Sequence, residues 1–193
     1  MTGAPLEILA DVFEQTIAAH VRFAASGLPA LTLAASAISR ALADRRQVLA
    51  FGNGGSAGDA QHFVAELVGR FERERRALPA IALTSDSSVL TAVANDYGYD
   101  RVFERQLEAL ARKGDVAFGI STSGRSRNVE KGLATARAIG LTTIAMTGRD
   151  GGPMGRNADI HLNVPESSTA RIQEVHRTIL HAICLLIERD LES

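Results

Sequence analysis

Five short apolar runs punctuate this chain, at Val48–Phe51, Ala80–Leu83, Val116–Ile120, Thr142–Met146 and Ile160–Val164. Each is too short for a stable helix and is rich in apolar residues, a pattern that reads as a parallel strand buried in a sheet. Between and after them lie amphipathic stretches of helical length, at about 57–74, 86–95, 100–112, 127–139 and 169–190. Parallel neighbours need a crossover and helices supply it. The alternation therefore predicts an α/β chain, a doubly wound three-layer sandwich with a five-stranded parallel sheet.

Residues 1–46 carry no such run. Leu6, Leu9, Phe13 and Ile17 fall at helical spacing, Gly27-Leu28-Pro29 interrupts them, and Leu31, Ala35, Ile38 and Leu42 resume the pattern. These read as N-terminal helices packed on the sandwich or on partner subunits. With 193 residues and no repeat or low-complexity tract, 1–193 reads as a single domain.

Composition removes several classes of function. Lys+Arg 21 against Asp+Glu 22 gives a net charge of −1, without the basic field that draws a protein to nucleic acid. The lone cysteine, Cys184, excludes an intrachain disulfide and a cysteine-based zinc site, and fits a reducing compartment. No run of about 18 apolar residues occurs, and Met1–Ala10 has no basic segment before its short apolar stretch. A soluble, unexported, cytoplasmic protein with no membrane partner is expected.

Ligands of open α/β sheets bind beyond the carboxyl ends of the strands, so the residues just after each apolar run carry most information. Ser121-Thr122-Ser123-Gly124-Arg125-Ser126 places four hydroxyl residues within six positions, ahead of a helix. Hydroxyls, a glycine that permits close backbone approach and free helix N–H groups make a phosphate cradle, although such a loop can also simply cap its helix. Arg125 and Arg127 either add charge to it or point into water. The loop matches neither the Walker A ending nor the dinucleotide fingerprint, which argues against ATP and NAD. Gly52-Asn53-Gly54-Gly55-Ser56 has no charged side chain and reads as a nest of backbone donors for the body of a ligand.

Downstream of that nest, His62 and Glu66 stand four residues apart on one helix face, with Cβ atoms about 5–6 Å apart. An imidazole and a carboxylate so placed can chelate a divalent metal, serve as acid and base, or form an ordinary surface pair. On the last helix, Gln173 and His181 are separated by roughly 12 Å of rise and roughly 80° of rotation, so one ion reaches both only at full stretch. His176 reads as a bystander, and His20 and His161 have no suggestive neighbours. Asn95-Asp96 suits sugar hydroxyls or a turn. Ile172, Val175, Ile179, Ile183 and Leu186 form one apolar stripe on this helix, and Leu180, Cys184 and Ile187 widen it. A stripe this broad is buried either in its own core or against another subunit.

Phe51-Gly52-Asn53-Gly54-Gly55-Ser56, His62-x-x-x-Glu66, Asn95-Asp96, Ile120-Ser121-Thr122-Ser123-Gly124, Thr147-Gly148-Arg149-Asp150-Gly151-Gly152 and Ala170-Arg171-Ile172-Gln173-Glu174-Val175-His176 stand in one order from Leu6 to Leu191. In that order they resemble the phosphoheptose isomerases, sedoheptulose 7-phosphate isomerases built on the sugar isomerase (SIS) domain, whose sheet is flavodoxin-like. The resemblance implies one zinc ion per subunit on His62, Glu66, Gln173 and His181. It implies substrate contacts at Asn53, Gly54, Gly55, Asn95, Asp96, Ser121, Thr122, Ser123 and Ser126, with Glu66 and Gln173 also reaching the sugar. Glu66 would be the general base and His181 the general acid of an aldose-ketose isomerisation, the first step toward nucleotide-activated heptose. A homotetramer with active sites between subunits is also implied, an arrangement that would let Gln173 and His181 converge from different chains.

The chain departs from the family pattern at Arg125, where many members have Asn, and at Ala170, where some have Asp. A carboxylate at the second position would orient the catalytic histidine, so its loss bears on rate or metal affinity and leaves the reaction type untouched. Two other readings share the fold: a non-catalytic paralogue that binds the bacterial replication initiator, and an SIS isomerase for a different sugar phosphate. The presence of both Glu66 and His181 separates this chain from the first.

Overall fold

The computed structural model describes residues 4–191. Its elements are α1 (Pro5–Ala43), β1 (Val48–Gly52), α2 (Gly55–Val68), β2 (Ala80–Ala82), α3 (Ser87–Tyr97), a 3-10 turn (Tyr99–Arg101), α4 (Val102–Leu110), β3 (Val116–Ser121), α5 (Arg127–Ile139), β4 (Thr142–Gly148), α6 (Gly152–Asn157), β5 (Ile160–Val164) and α7 (Thr169–Asp190). The five strands lie in the order β2-β1-β3-β4-β5 and every pairing is parallel. The chain steps outward from β1 to β2 and then crosses back to β3. The loops after β1 and β3 therefore part at a switch point, where such sheets open a crevice for ligand.

Side-chain alternation divides the interior into two cores. Val48 and Ala50 of β1, Val116, Phe118 and Ile120 of β3, and Ile144 and Met146 of β4 pack under α1, α2 and α7. Leu49, Phe51, Ala117 and Ala145 face α4 and α5 on the other side. Gly132 of α5 makes room there: a Cβ at that position would lie 2.9 Å from the Phe51 ring, which meets Phe103 at 5.2 Å between centroids.

The N-terminal region differs from the sequence expectation. One 39-residue helix runs through Pro29. Proline removes one backbone hydrogen bond and crowds the preceding turn, but packing outweighs that local cost, because Phe23 before it and Leu31, Ala34 and Ala35 after it all enter the same core. Gly27 serves that packing and not a turn, since a Cβ there would stand 2.4 Å from the Phe23 ring. By length and composition α1 could cross a bilayer; its second half is a core helix, with Ile38 and Leu42 wholly buried. Its first half leaves Leu6, Leu9, Phe13, Ile17 and Val21 exposed, Phe13 at 69%.

Other boundaries shift for local reasons. α2 stops at Val68 rather than near 74 because Gly69 ends it, its N–H returning to the Ala65 carbonyl at 2.9 Å. A 3-10 turn at Tyr99–Arg101 precedes α4, and the six-residue α6 has no counterpart in the sequence reading. The breadth of the α7 stripe belongs to its own chain: Ile172, Val175, Ile179, Leu180, Ile183, Cys184 and Ile187 are all buried against α1, α2 and the sheet. Leu185 alone of the large apolar residues on α7 is exposed, and most uncovered apolar side chains lie on α1.

His176 is wholly buried, donates from Nε2 to the Thr147 carbonyl at 3.0 Å, and has no partner at Nδ1 among the described residues. Burial pushes its pKa down to about 4, against the pull of that bond. A histidine held neutral takes up its proton more readily when unfolded, so its contribution is intact above about pH 6.5 and declines as pH falls toward 4. The loss approaches about 3 kcal/mol across that window. Urea titrations at successive pH values should show His176→Gln losing less stability on acidification than the parent, by about 1.4 kcal/mol per pH unit. Equal slopes would refute the assignment.

Candidate active site

α2 and α7 both return across one face of the sheet after parallel strands, so they lie side by side and run in the same direction. Their facing side chains meet in rungs. At the first, the Gln173 amide occupies the space over Gly55, where a Cβ would sit 2.2 Å from Nε2. At the second, Arg177 pairs with the buried Asp59 at 2.8 Å. At the third, His62 Nε2 faces His181 Nε2 at 2.8 Å, with Glu66 Oε1 3.4 Å from His62.

His62, Glu66 and His181 offer ligand atoms that lie within 4.8 Å of one another. Nitrogen and oxygen ligands about 2.0–2.1 Å from a tetrahedral ion stand roughly 3.3 Å apart, so two imidazoles and a carboxylate at these spacings fit zinc in both chemistry and scale. Burial, with the Arg177 guanidinium and His181 beside it, holds His62 below the ordinary imidazole range against the pull of Glu66. A neutral imidazole is the form that binds metal. Asp59 is raised by burial, an effect Arg177 partly offsets, and its Oδ2 is buried without a partner among the described residues. Cys184, buried beneath these groups, is pushed up to about 12 by burial and stays a thiol.

The loop after β3 converges on its hydroxyls. Ser121 Oγ lies 2.9 Å from Ser126 Oγ and 3.3 Å from Ser123 Oγ. Ser126 stands at the N-cap of α5 without capping it through its side chain, which sets aside the reading of this loop as a cap. Thr122 is half-buried, and its carbonyl lies 2.7 Å from where a Cβ of Gly148 would be, so the loop also abuts the end of β4. The flanking arginines are engaged elsewhere: Arg125 pairs with Asp150 at 2.5 Å and Arg127 approaches Asp100 at 3.8 Å. Neither guanidinium is hydrogen-bonded to the serine hydroxyls.

After β1, Asn53 and Asn128 exchange amide hydrogen bonds of 2.8 and 2.9 Å, and the Tyr99 hydroxyl donates to Asn53 at 3.0 Å. Gly54 takes φ +56, a turn that L side chains rarely make, and opens α2. The loop nest and the serine loop thus flank the crevice from adjacent strands, as the sheet order requires. Asn95 and Asp96 occupy the last turn of α3 in place of a free turn, exposed and bonded to each other at 2.8 Å.

Comparison with known proteins decides the family. The SIS domain model matches residues 13–148. The phosphoheptose isomerase of Geobacter sulfurreducens is 57% identical over 157 residues, covering 81% of this chain and 83% of that protein. That of Aquifex aeolicus is 51% identical over 183 residues, covering 95% and 96%. The chain belongs to the phosphoheptose isomerase family. Among solved family members, the phosphoheptose isomerase from Neisseria gonorrhoeae superposes with a TM-score of 0.92 at 43% identity, covering 96% of this chain and all of that one. The one from Francisella tularensis gives 0.93 at 38%, covering 97% and 100%. The five-stranded parallel sheet and the long N-terminal helix are the fold of this family.

Of the four residues that the family resemblance assigns to zinc, His62, Glu66 and His181 meet within one chain, whereas Gln173 lies two rungs away over Gly55. Sequence reasoning missed Arg177 and Asp59. Their signal was present, since Gln173, Arg177 and His181 recur every fourth residue on one face of α7, and Asp59 lies one turn before His62. His20 and His161 also have partners: His20 bonds Thr178 Oγ1 at 2.8 Å and His161 bonds Thr147 Oγ1 at 2.7 Å.

Proposed function

We propose that this protein interconverts sedoheptulose 7-phosphate and D-glycero-D-manno-heptose 7-phosphate. The observation that carries the reading is the meeting of the Glu66 carboxylate and the His181 imidazole, 115 residues apart, in one partly open cluster of a family member. Aldose-ketose isomerisation moves one proton between C1 and C2 through an enediol or enediolate and exchanges another between the two oxygens. Glu66 takes the carbon proton and His181 supplies the oxygen proton, each step worth about 10²–10⁴-fold. The Ser121, Thr122, Ser123 and Ser126 hydroxyls hold the phosphate, so remote binding energy orients the reacting end. Asn53, Gly54, Gly55, Asn95, Asp96 and Gln173 contact the sugar.

Zinc on His62, Glu66 and His181, with Gln173 reaching the ion only from another chain, would polarise the carbonyl or fix the two proton-handling groups. A carboxylate held tightly by metal is a weaker base, so Glu66 would serve as base at carbon only where the ion does not hold it tightly. Purified protein incubated with sedoheptulose 7-phosphate should form aldose, and a chelator should suppress it, with activity restored by zinc. No product under any condition would overturn the reading.

The same reading includes a cytoplasmic homotetramer with active sites shared between chains. Two features support it. The exposed apolar stripe of α1 is suited to a second copy, and Gly55 and Glu66 are separated by roughly 16 Å of helix rise. Six carbon–carbon bonds of about 1.5 Å extend only about 8 Å, so the Gly55 nest and the base act on one sugar more easily when different chains contribute them. Light scattering should give a tetramer mass, and Phe13→Glu with Ile17→Glu should shift it to smaller species. An unchanged mass would refute the role of α1.

A further inference from the structure

Beyond the His62–His181 rung, a buried carboxylate organises the chain that leaves α2. Glu188, two turns after His181 on α7, is 2% exposed. Its Oε1 accepts the Phe71 N–H at 3.0 Å, and its Oε2 accepts those of Glu72 and Arg73 at 3.1 and 3.0 Å. Arg75 Nε stands 3.2 Å from Oε1. The same guanidinium donates to the carbonyls of Glu66 at 2.6 Å, Leu67 at 2.9 Å, Gly69 at 3.2 Å and Arg76 at 3.0 Å, closing the end of α2 that carries Glu66. Burial alone would raise the Glu188 carboxyl, but the three N–H donors and Arg75 together hold it below its ordinary range.

An ionic anchor of this kind is costly to build, because two charges leave water, and buried pairs often contribute little net stability. What this one fixes is geometry. The segment tied to Glu188 lays the Phe71 ring against His181, 5.3 Å between centroids, and the His62 ring lies 5.0 Å from the same imidazole. The imidazole thus touches both rings, with its Nε2 2.8 Å from that of His62 and Glu66 in the same cluster.

We propose that Glu188 and Arg75 are positioning residues which, through Phe71, hold the His181 ring in its reactive orientation. The proposal deepens the isomerase reading and rests on it for the role of His181. Neither Glu188 nor Phe71 is placed in contact with substrate; both act at one remove.

The test uses full-length zinc-loaded protein and three variants: Phe71→Ala, Glu188→Gln and the double variant. Misplacing a reacting group by about 1 Å can cost on the order of 10²-fold. Phe71→Ala is therefore expected to lower kcat by about 10- to 100-fold, with KM for sedoheptulose 7-phosphate nearly unchanged because the serine loop is intact. Glu188→Gln should do the same, and Phe71→Ala added to it should cost nothing more. A second readout is independent of turnover: in histidine-labelled protein, the His181 ring signals, identified by their loss in His181→Asn, should move in Glu188→Gln as they do in Phe71→Ala, while those of His161 stay. Should Glu188→Gln not fold, Phe71→Ala and Phe71→Leu carry the test, with Leu predicted to restore part of kcat. Unchanged kcat in folded Phe71→Ala, a loss confined to KM, or unmoved His181 signals in folded Glu188→Gln would overturn the proposal. A parent protein without isomerase activity would instead refute the function, leaving the ring signals to judge the anchor.

Discussion

Glu66→Gln is expected to reduce turnover by about 10²–10⁴-fold, the contribution of a positioned general base. The amide keeps the size and reach of the carboxylate, and the Glu66 backbone remains tied by its carbonyl to Arg75 at 2.6 Å. The change therefore removes charge and basicity with little disturbance of α2. Substrate should still bind within a few-fold of the parent, because the phosphate contacts proposed for it lie on another loop. Glu66 also belongs to the His62–His181 group proposed to hold zinc, so bound zinc must be measured beside the rate. Full zinc with lost turnover assigns the loss to proton transfer, whereas lost zinc assigns it to the ligand role. Near-normal turnover in a protein of parental metal content would contradict the base assignment.

The second large effect is expected at Gly124. This residue takes φ +63, and a Cβ there would stand 2.2 Å from the Gly151 carbonyl oxygen. The obstructing atoms are backbone at the start of α6, whose Met154 N–H in turn bonds the Gly124 carbonyl at 3.2 Å, so no side chain can swing aside to admit a methyl. Gly124→Ala must either strain the turn or push the serine loop away from the loop after β4. A penalty of about 1–3 kcal/mol for the backbone conformation alone is expected, before any clash. Thermal melting should register it, and KM should rise far more than kcat falls, because the proposed phosphate loop is displaced while Glu66 and His181 stay in place. A variant with parental KM and melting temperature would show that the loop tolerates the shift.

Much of this architecture was legible in the sequence because its elements are locally consistent. The spans of α5, α7 and β5 match the stretches read from periodicity alone, since their polar and apolar faces are set by a single core. α1 was misread because Gly27 and Pro29 are the residues that usually stop a helix, and only the fit of the Phe23 ring over Gly27 shows that here they do not. Within the site, His62 and Glu66 were visible as a one-turn pair. The partnership of His62 with His181 was not, for it depends on how two helices 119 residues apart in sequence come to lie together. Glu188 shows the limit most clearly. A glutamate near the end of a helix reads as a solvated charge, and nothing local reveals that three backbone N–H groups will surround it.

The rungs joining α2 to α7 also limit how the reaction centre can drift. Sliding α7 by one turn, about 5.4 Å, would set Arg177 against Gly55 and His181 against Asp59, exchanging every partner simultaneously. No intermediate alignment preserves even one match, so the two rods behave as a keyed joint with a single seating. Tuning toward other sugars is then easiest in the loops at the sheet rim, which can vary while the joint stays locked.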